Sequence, residues 1–130
     1  MQSEQPADTG PGTYTGTYTG ITQDVSARLA SLRTGARDMM KSFSDLGRFA
    51  LADGVLDKKT KELMALALGV ATRCDPCIGY HMQALVKLGV TRQELDETLG
   101  VVVYMGGGPS LMYAAHAIAA FEEFSLAQLR

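Results

Sequence analysis

Apolar positions along this chain recur at helical rather than strand spacing. Ile21, Val25, Leu29 and Leu32 follow one another at intervals of four, four and three, which makes one stripe on a helix that Gly35 ends. A second helix is predicted from about Ala36 to Ala52. Met39, Phe43, Leu46 and Ala50 line one face of it, Met40 and Phe49 widen that face, and Asp53-Gly54 closes it. Asp57 reads as the cap of a third helix that opens Lys58-Lys59-Thr60-Lys61-Glu62. The run Leu63 to Leu68 then makes this helix hydrophobic nearly all round, as expected of a central buried one. A fourth helix begins with Asp75 as cap and Pro76 as a first-turn proline, and runs through Met82, Leu85 and Leu88 to Gly89. Thr91-Arg92-Gln93-Glu94 fits a capping box for a fifth helix carrying Leu95, Leu99, Val102 and Val103. Gly106-Gly107-Gly108-Pro109 breaks it. A last helix from Pro109 or Ser110 holds Leu111, Met112, Ala115, Ile118, Ala119 and Phe121.

The expectation is an all-α fold of about six helices in a compact bundle, with short gaps making successive helices antiparallel neighbours. The alanines at 114, 115, 117, 119 and 120 permit close helix contacts, within one subunit or between subunits. Residues 1–20 read differently. Pro6, Gly10, Pro11 and Gly12 punctuate them, and Thr13-Tyr14-Thr15-Gly16 is repeated as Thr17-Tyr18-Thr19-Gly20. Alternating Thr and Tyr suits an extended strand, and the stretch is expected to be a flexible tail or an arm on a neighbouring subunit.

Composition narrows the function classes. The chain has 130 residues, enough for one domain with a moderate core, and a net charge of −2, which gives no footprint for nucleic acid. No apolar run approaches the roughly 20 residues that cross a bilayer. Met1 to Gly12 is polar and does not read as a secretory signal. A cytoplasmic protein is expected. In a reducing compartment its cysteines point to catalysis or metal binding rather than to a structural staple.

Both cysteines fall in Arg73-Cys74-Asp75-Pro76-Cys77-Ile78-Gly79-Tyr80-His81. His81 follows Cys77 by four residues, so the two share a helix face. A thiol beside an imidazole is the minimum for an activated sulfur nucleophile, and the start of a helix favours a thiolate further. The second thiol, three residues away, can trap the oxidised form as a disulfide. Two cysteines at this spacing also make half of a zinc site. A closed four-cysteine site is impossible with two, but a mixed site of Cys74, Cys77, His81 and one carboxylate remains open, as does an inert buried pair. The other signals read more simply. The triple glycine lacks the strand and lysine of a phosphate loop and is a helix–helix turn. His116, among alanines and with no cysteine or carboxylate at helical spacing, is a packing or interface residue. Tyr80 and Tyr104 are core residues or hydrogen-bond donors near the cysteines. Lys58, Lys59 and Lys61 form a solvated helix start, and Glu62 by position alone is a solvated first-turn residue.

Taken together, Glu62, Cys74, Cys77 and His81 resemble the pattern of the alkyl hydroperoxidase D and carboxymuconolactone decarboxylase superfamily. In that pattern a Glu lies twelve residues before a Cys-x-x-Cys and a His four after it, as here. Met105 to Ala114 also looks like small members of the family. The resemblance covers about residues 21–124, and residues 21–130 are read as an alkyl hydroperoxidase D-like helical domain. It implies a homo-oligomer, often a trimer or hexamer. Its redox-active branch implies thiol-dependent reduction of alkyl hydroperoxides with no metal, haem or flavin of the protein's own. Electrons would come from an external dithiol, either lipoyl or thioredoxin-like. Glu62 and His81 would relay protons to Cys77, and Cys74 and Cys77 would cycle between dithiol and disulfide, with Cys77 favoured as the attacking sulfur. The alkyl hydroperoxidase D pattern has a histidine directly before the second cysteine, where this chain has Pro76, so that arm of the relay is absent. Two other readings stand beside this one. The first is a non-redox decarboxylase or lyase acting on a small carboxylated lactone. The second is an oligomeric thiol redox sensor or disulfide oxidoreductase without peroxidase turnover.

Overall fold

A computed structural model describes residues 17–130; residues 1–16 of the expected tail, with the first Thr-Tyr-Thr-Gly copy, lie outside the described residues. The described residues form six helices: α1 (Tyr18–Gly35), α2 (Arg37–Ala50), α3 (Lys58–Ala71), α4 (Asp75–Lys87), α5 (Arg92–Gly106) and α6 (Gly108–Gln128). Among the described residues there is no strand. The bundle is the all-α fold that the periodicity predicts.

The second Thr-Tyr-Thr-Gly copy is helical, not extended. Thr17 caps α1 by accepting a hydrogen bond from the Gly20 amide at 3.0 Å. The carboxylate of Glu123, on α6, accepts from the Tyr18 and Thr19 amides at 3.1 and 2.9 Å. Helix starts leave such amides without partners, and an anion there is favoured. The partner lies more than a hundred residues away, which is why local β-propensity points the wrong way.

Helix α4 is the centre of the core. Its Ile78, Met82 and Leu85 are fully buried, and it packs against α1, α3 and α6. Leu66 and Val70 of α3, and Ala117 and Ala120 of α6, are also fully buried. The buried side of α6 is Ser110, Ala114, Ala117, Ala120 and Phe124, at spacings of four, three, three and four. Small residues there let α6 approach α4 closely, while the larger Leu111 and Met112 face outward. The capping box at Thr91 and Glu94 forms as predicted. The triple glycine is a helix–helix turn, with Gly107 at φ 72°, a left-handed value that suits glycine.

Two helices are less buried than their patterns suggest. Helix α3 is covered on one side only: Glu62, Leu66, Gly69 and Val70 point inward, while Met64 and Leu68 are open. Among the described residues, helix α2 buries no side chain and touches only α1, so Met39, Phe43, Leu46 and Phe49 stay 52–70% exposed. A single chain of this size has too little interior to cover every apolar stripe it carries.

Two backbone features hold α4 in place. Gly79 lies against α1, where an added Cβ would stand 2.8 Å from Thr22 Cγ2 and 3.4 Å from the Tyr18 ring. The α3–α4 turn is a Schellman arrangement, in which the Cys74 amide donates to the Gly69 carbonyl (2.9 Å) and the Arg73 amide to Val70 (3.1 Å). Arg73 takes the left-handed position, φ 57°, that glycine usually fills.

Replacing Gly79 with Ala is expected to lower stability by about 1–3 kcal/mol, the cost of overpacking a close crossing, as read from urea denaturation. Arg73→Gly should hold or raise stability by up to about 1 kcal/mol, while Arg73→Val lowers it by about 1–2 kcal/mol, because a branched side chain is ill suited to positive φ. Equal effects of the two Arg73 substitutions would rule out the left-handed turn.

Candidate active site

The site is built on the α3–α4 hairpin. Moving away from the turn, Gly69 of α3 meets Cys77 of α4, and farther on Glu62 meets His81. An added Cβ at Gly69 would come within 3.2 Å of Cys77 Cβ, so this glycine sets how closely α3 lies behind the second cysteine. Residues 62, 66 and 69 share one face of α3, as 77 and 81 share one face of α4.

Glu62 is a buried carboxylate, 3% exposed, rather than a solvated first-turn residue. Its Oε2 lies 2.6 Å from His81 Nδ1, and Lys58 Nζ stands 3.7 Å from Oε1. Burying a carboxylate is costly unless it is paired and hydrogen-bonded, and here both oxygens have a cationic or N–H partner. The bond also fixes the imidazole. With Nδ1 committed to Glu62, Nε2 is the ring nitrogen left to exchange protons.

Cys74 and Cys77 are half-buried and joined by a disulfide, with Cα atoms 5.2 Å apart. The cap of α4 is Cys74, not Asp75: the Cys77 amide donates to Cys74 Sγ at 3.2 Å. Pro76 sits in the first turn, as its ring geometry favours. The two sulfurs therefore differ in setting. Cys77 shares a helix face with His81, and Cys74 receives an N–H from the helix start that sequence spacing assigns to Cys77.

His116, expected to be a packing or interface residue, is not packed into the core of this chain. Its Nδ1 lies 2.8 Å from Asp75 Oδ1, and its side chain is 46% exposed. The Tyr18 hydroxyl donates to the same Asp75 oxygen at 2.8 Å, and the Tyr113 ring lies 4.6 Å from the imidazole. Burial, followed by the hydrogen bond to Asp75, pushes the Tyr18 hydroxyl above the ordinary tyrosine range, so it remains a neutral donor. No spacing rule finds this cluster, because its members come from α1, α4 and α6. The only local signal is an aspartate between two cysteines.

The remaining candidates are structural. The Tyr80 hydroxyl donates to the Thr22 carbonyl at 2.9 Å and also contacts Ser26, tying α4 to α1. Tyr104 lies exposed on α5. Lys59 pairs with Glu94 at 2.8 Å, and Lys61 donates to the Ala52 carbonyl at 2.6 Å. Among the described residues no group of three His, Cys, Asp or Glu side chains is arranged to hold a metal ion. None of the described helices is long and apolar enough to cross a membrane.

Residues 37–120 match the model of the carboxymuconolactone decarboxylase family. Uncharacterized protein H16_B0147 of Cupriavidus necator is 34% identical over 99 residues, covering 76% of this chain and 88% of the relative. Among solved structures, apo-lpg0406, a carboxymuconolactone decarboxylase family protein from Legionella pneumophila, is 59% identical. It superposes with a TM-score of 0.81 over 83% of this chain and 96% of its own. TM1620 of Thermotoga maritima, a family protein described as having a possible part in an antioxidative response, is 28% identical. Its TM-score is 0.67 over 85% of this chain and 92% of that one. With most of the described helices inside the matched region and the Cys-x-x-Cys hairpin at its centre, the chain belongs to the carboxymuconolactone decarboxylase family.

Proposed function

We propose that this protein is a thiol-dependent peroxidase that reduces alkyl hydroperoxides through Cys74 and Cys77. The observation that carries the reading is the buried Glu62–His81 pair, at 2.6 Å, on the helix face that also holds Cys77. A buried carboxylate locking an imidazole beside a cysteine pair is what a proton-coupled thiol cycle needs. In the dithiol state the Cys77 thiolate attacks the terminal peroxide oxygen. An S–O bond forms, the O–O bond breaks, and the alcohol leaves with a proton delivered by way of His81. Cys74 then attacks the sulfenic sulfur, water departs, and the disulfide forms. An external dithiol, lipoyl or thioredoxin-like, supplies two electrons and two protons to restore the thiols. No haem, flavin or metal enters the cycle.

Pro76 favours a second reading, a disulfide oxidoreductase or redox sensor that lacks peroxidase turnover, because it removes one proton-relay position. A decarboxylase or lyase would leave the cysteine pair without a chemical role. The open faces of α2 and α3 support a homo-oligomer, a trimer or hexamer in which these apolar stripes are covered. A cytoplasmic setting suits a cycle that depends on dithiol reductants.

With an organic hydroperoxide as substrate and dihydrolipoamide as donor, Cys74→Ser and Cys77→Ser should each abolish turnover. His81→Gln and Glu62→Gln should lower kcat by about a hundredfold, the usual scale for losing a positioned acid–base group. Full turnover in the double serine variant would eliminate the thiol mechanism. Disulfide cycling without peroxide consumption would establish the second reading instead. Charged substitutions at Phe43 and Phe49 together should lower the particle mass measured by light scattering, and an unchanged mass would place the subunit contact elsewhere.

A further inference from the structure

We propose that Asp75 and His116 control the charge at the Cys74 sulfur, so that His116 is a positioning and charge-balancing residue for opening the disulfide. The inference rests on the redox reading of the cysteine pair. It concerns a cluster separate from Glu62 and His81, and it assigns a role to the second histidine of the chain.

Asp75 follows Cys74 directly, so their Cα atoms are about 3.8 Å apart across the peptide. A carboxylate on the adjoining residue opposes negative charge on Cys74 Sγ. The same carboxylate oxygen is bonded by two groups of different character. The Tyr18 hydroxyl is a neutral donor and cannot cancel charge. His116 can, because its protonated imidazole at 2.8 Å offsets the aspartate. Among the described residues, the titratable or charged groups that meet His116 are Asp75 from α4 and Tyr113 from its own helix, with Tyr18 of α1 reaching the shared oxygen. Helices α3 and α5 contribute no hydrogen-bonded or ion-paired group to it.

The balance matters when the disulfide opens. A donor thiolate attacks Cys77 Sγ, a new S–S bond forms, and the Cys74–Cys77 bond breaks. The electron pair goes to Cys74 Sγ, where the Cys77 amide already donates at 3.2 Å. The donor's second thiol then closes on its own mixed disulfide and Cys77 departs as a thiolate. Two electrons pass from the donor dithiol to the cysteine pair, and protons from solvent and donor complete the thiols. Negative charge appears first at Cys74, one residue from Asp75, so the rate reports the Asp75–His116 balance.

The test is the rate of disulfide reduction by excess dithiothreitol, followed as alkylated thiol by mass spectrometry, with thermal melts confirming folding of each variant. Asp75→Asn should speed reduction about three- to tenfold at pH 6 and pH 8, the scale of removing one neighbouring unit charge near a protein surface. His116→Gln, which removes the group able to carry the balancing charge, should slow it by a similar factor at pH 6. His116→Lys should be no slower than wild type at either pH. Opposite signs for Asp75→Asn and His116→Gln support the proposal, since loss of a merely structural clamp would move both variants the same way. Same-sign changes, or changes under about twofold in both, would overturn it. A wild-type disulfide that dithiothreitol cannot open would overturn both the proposal and the redox reading beneath it.

Discussion

The bond between the buried Glu62 carboxylate and His81 is the interaction on which the rest of the site depends. The other polar side chains of the α3–α4 hairpin, such as Asp75 and Lys59, are partly exposed and can also be satisfied by water. Glu62 cannot: at 3% exposure it needs a partner, and His81 and Lys58 supply one for each oxygen. The requirement sets the register of the two helices, since sliding α4 by one turn would strand the carboxylate away from the imidazole. Gly69, close behind Cys77, imposes the same register from the other end of the hairpin. The turn between them is held by the Arg73 and Cys74 amides. The polar contact thus places Cys77 and His81 on the side of α4 that α3 covers.

A second constraint is the shortage of interior. Helix α4 is wrapped by α1, α3 and α6, and the small residues of α6 let it come close. That arrangement consumes the available core, so the apolar face of α2 and the outer side of α3 are left open. These faces have the amphipathic pattern of packed helices without a partner among the described residues.

Helix α4 carries one member of each of two histidine–carboxylate pairs, and the pairs differ in setting. Glu62 and His81 are drawn from adjacent helices, and the carboxylate is buried. Asp75 and His116 join α4 to α6, with the imidazole half in solvent and a tyrosine from α1 sharing the carboxylate. A buried pair holds geometry, while an exposed one exchanges protons readily with water. The family match and the similarity to lpg0406 over most of the chain fit a common scaffold for this hairpin.

Much of this was written into local sequence. Helix periodicity placed all six helices to within a few residues, the capping box at Thr91 was legible, and so was the helix turn at the triple glycine. Such features depend on neighbours three or four residues apart, which a linear reading captures. The spacing of Cys74, Cys77 and His81 was legible for the same reason, since all three lie on or cap one helix. What the linear reading misplaced depends on distant partners. Tyr18 and Thr19 became helical because Glu123 caps them, Cys74 displaced Asp75 as the cap of α4, and His116 found its carboxylate 41 residues away. The sequence alone determined which helices form and which chemistry is concentrated on α4. Only the tertiary structure decided which faces are buried, that Glu62 meets His81, and that Asp75 meets His116, because burial and pairing depend on how the helices stack.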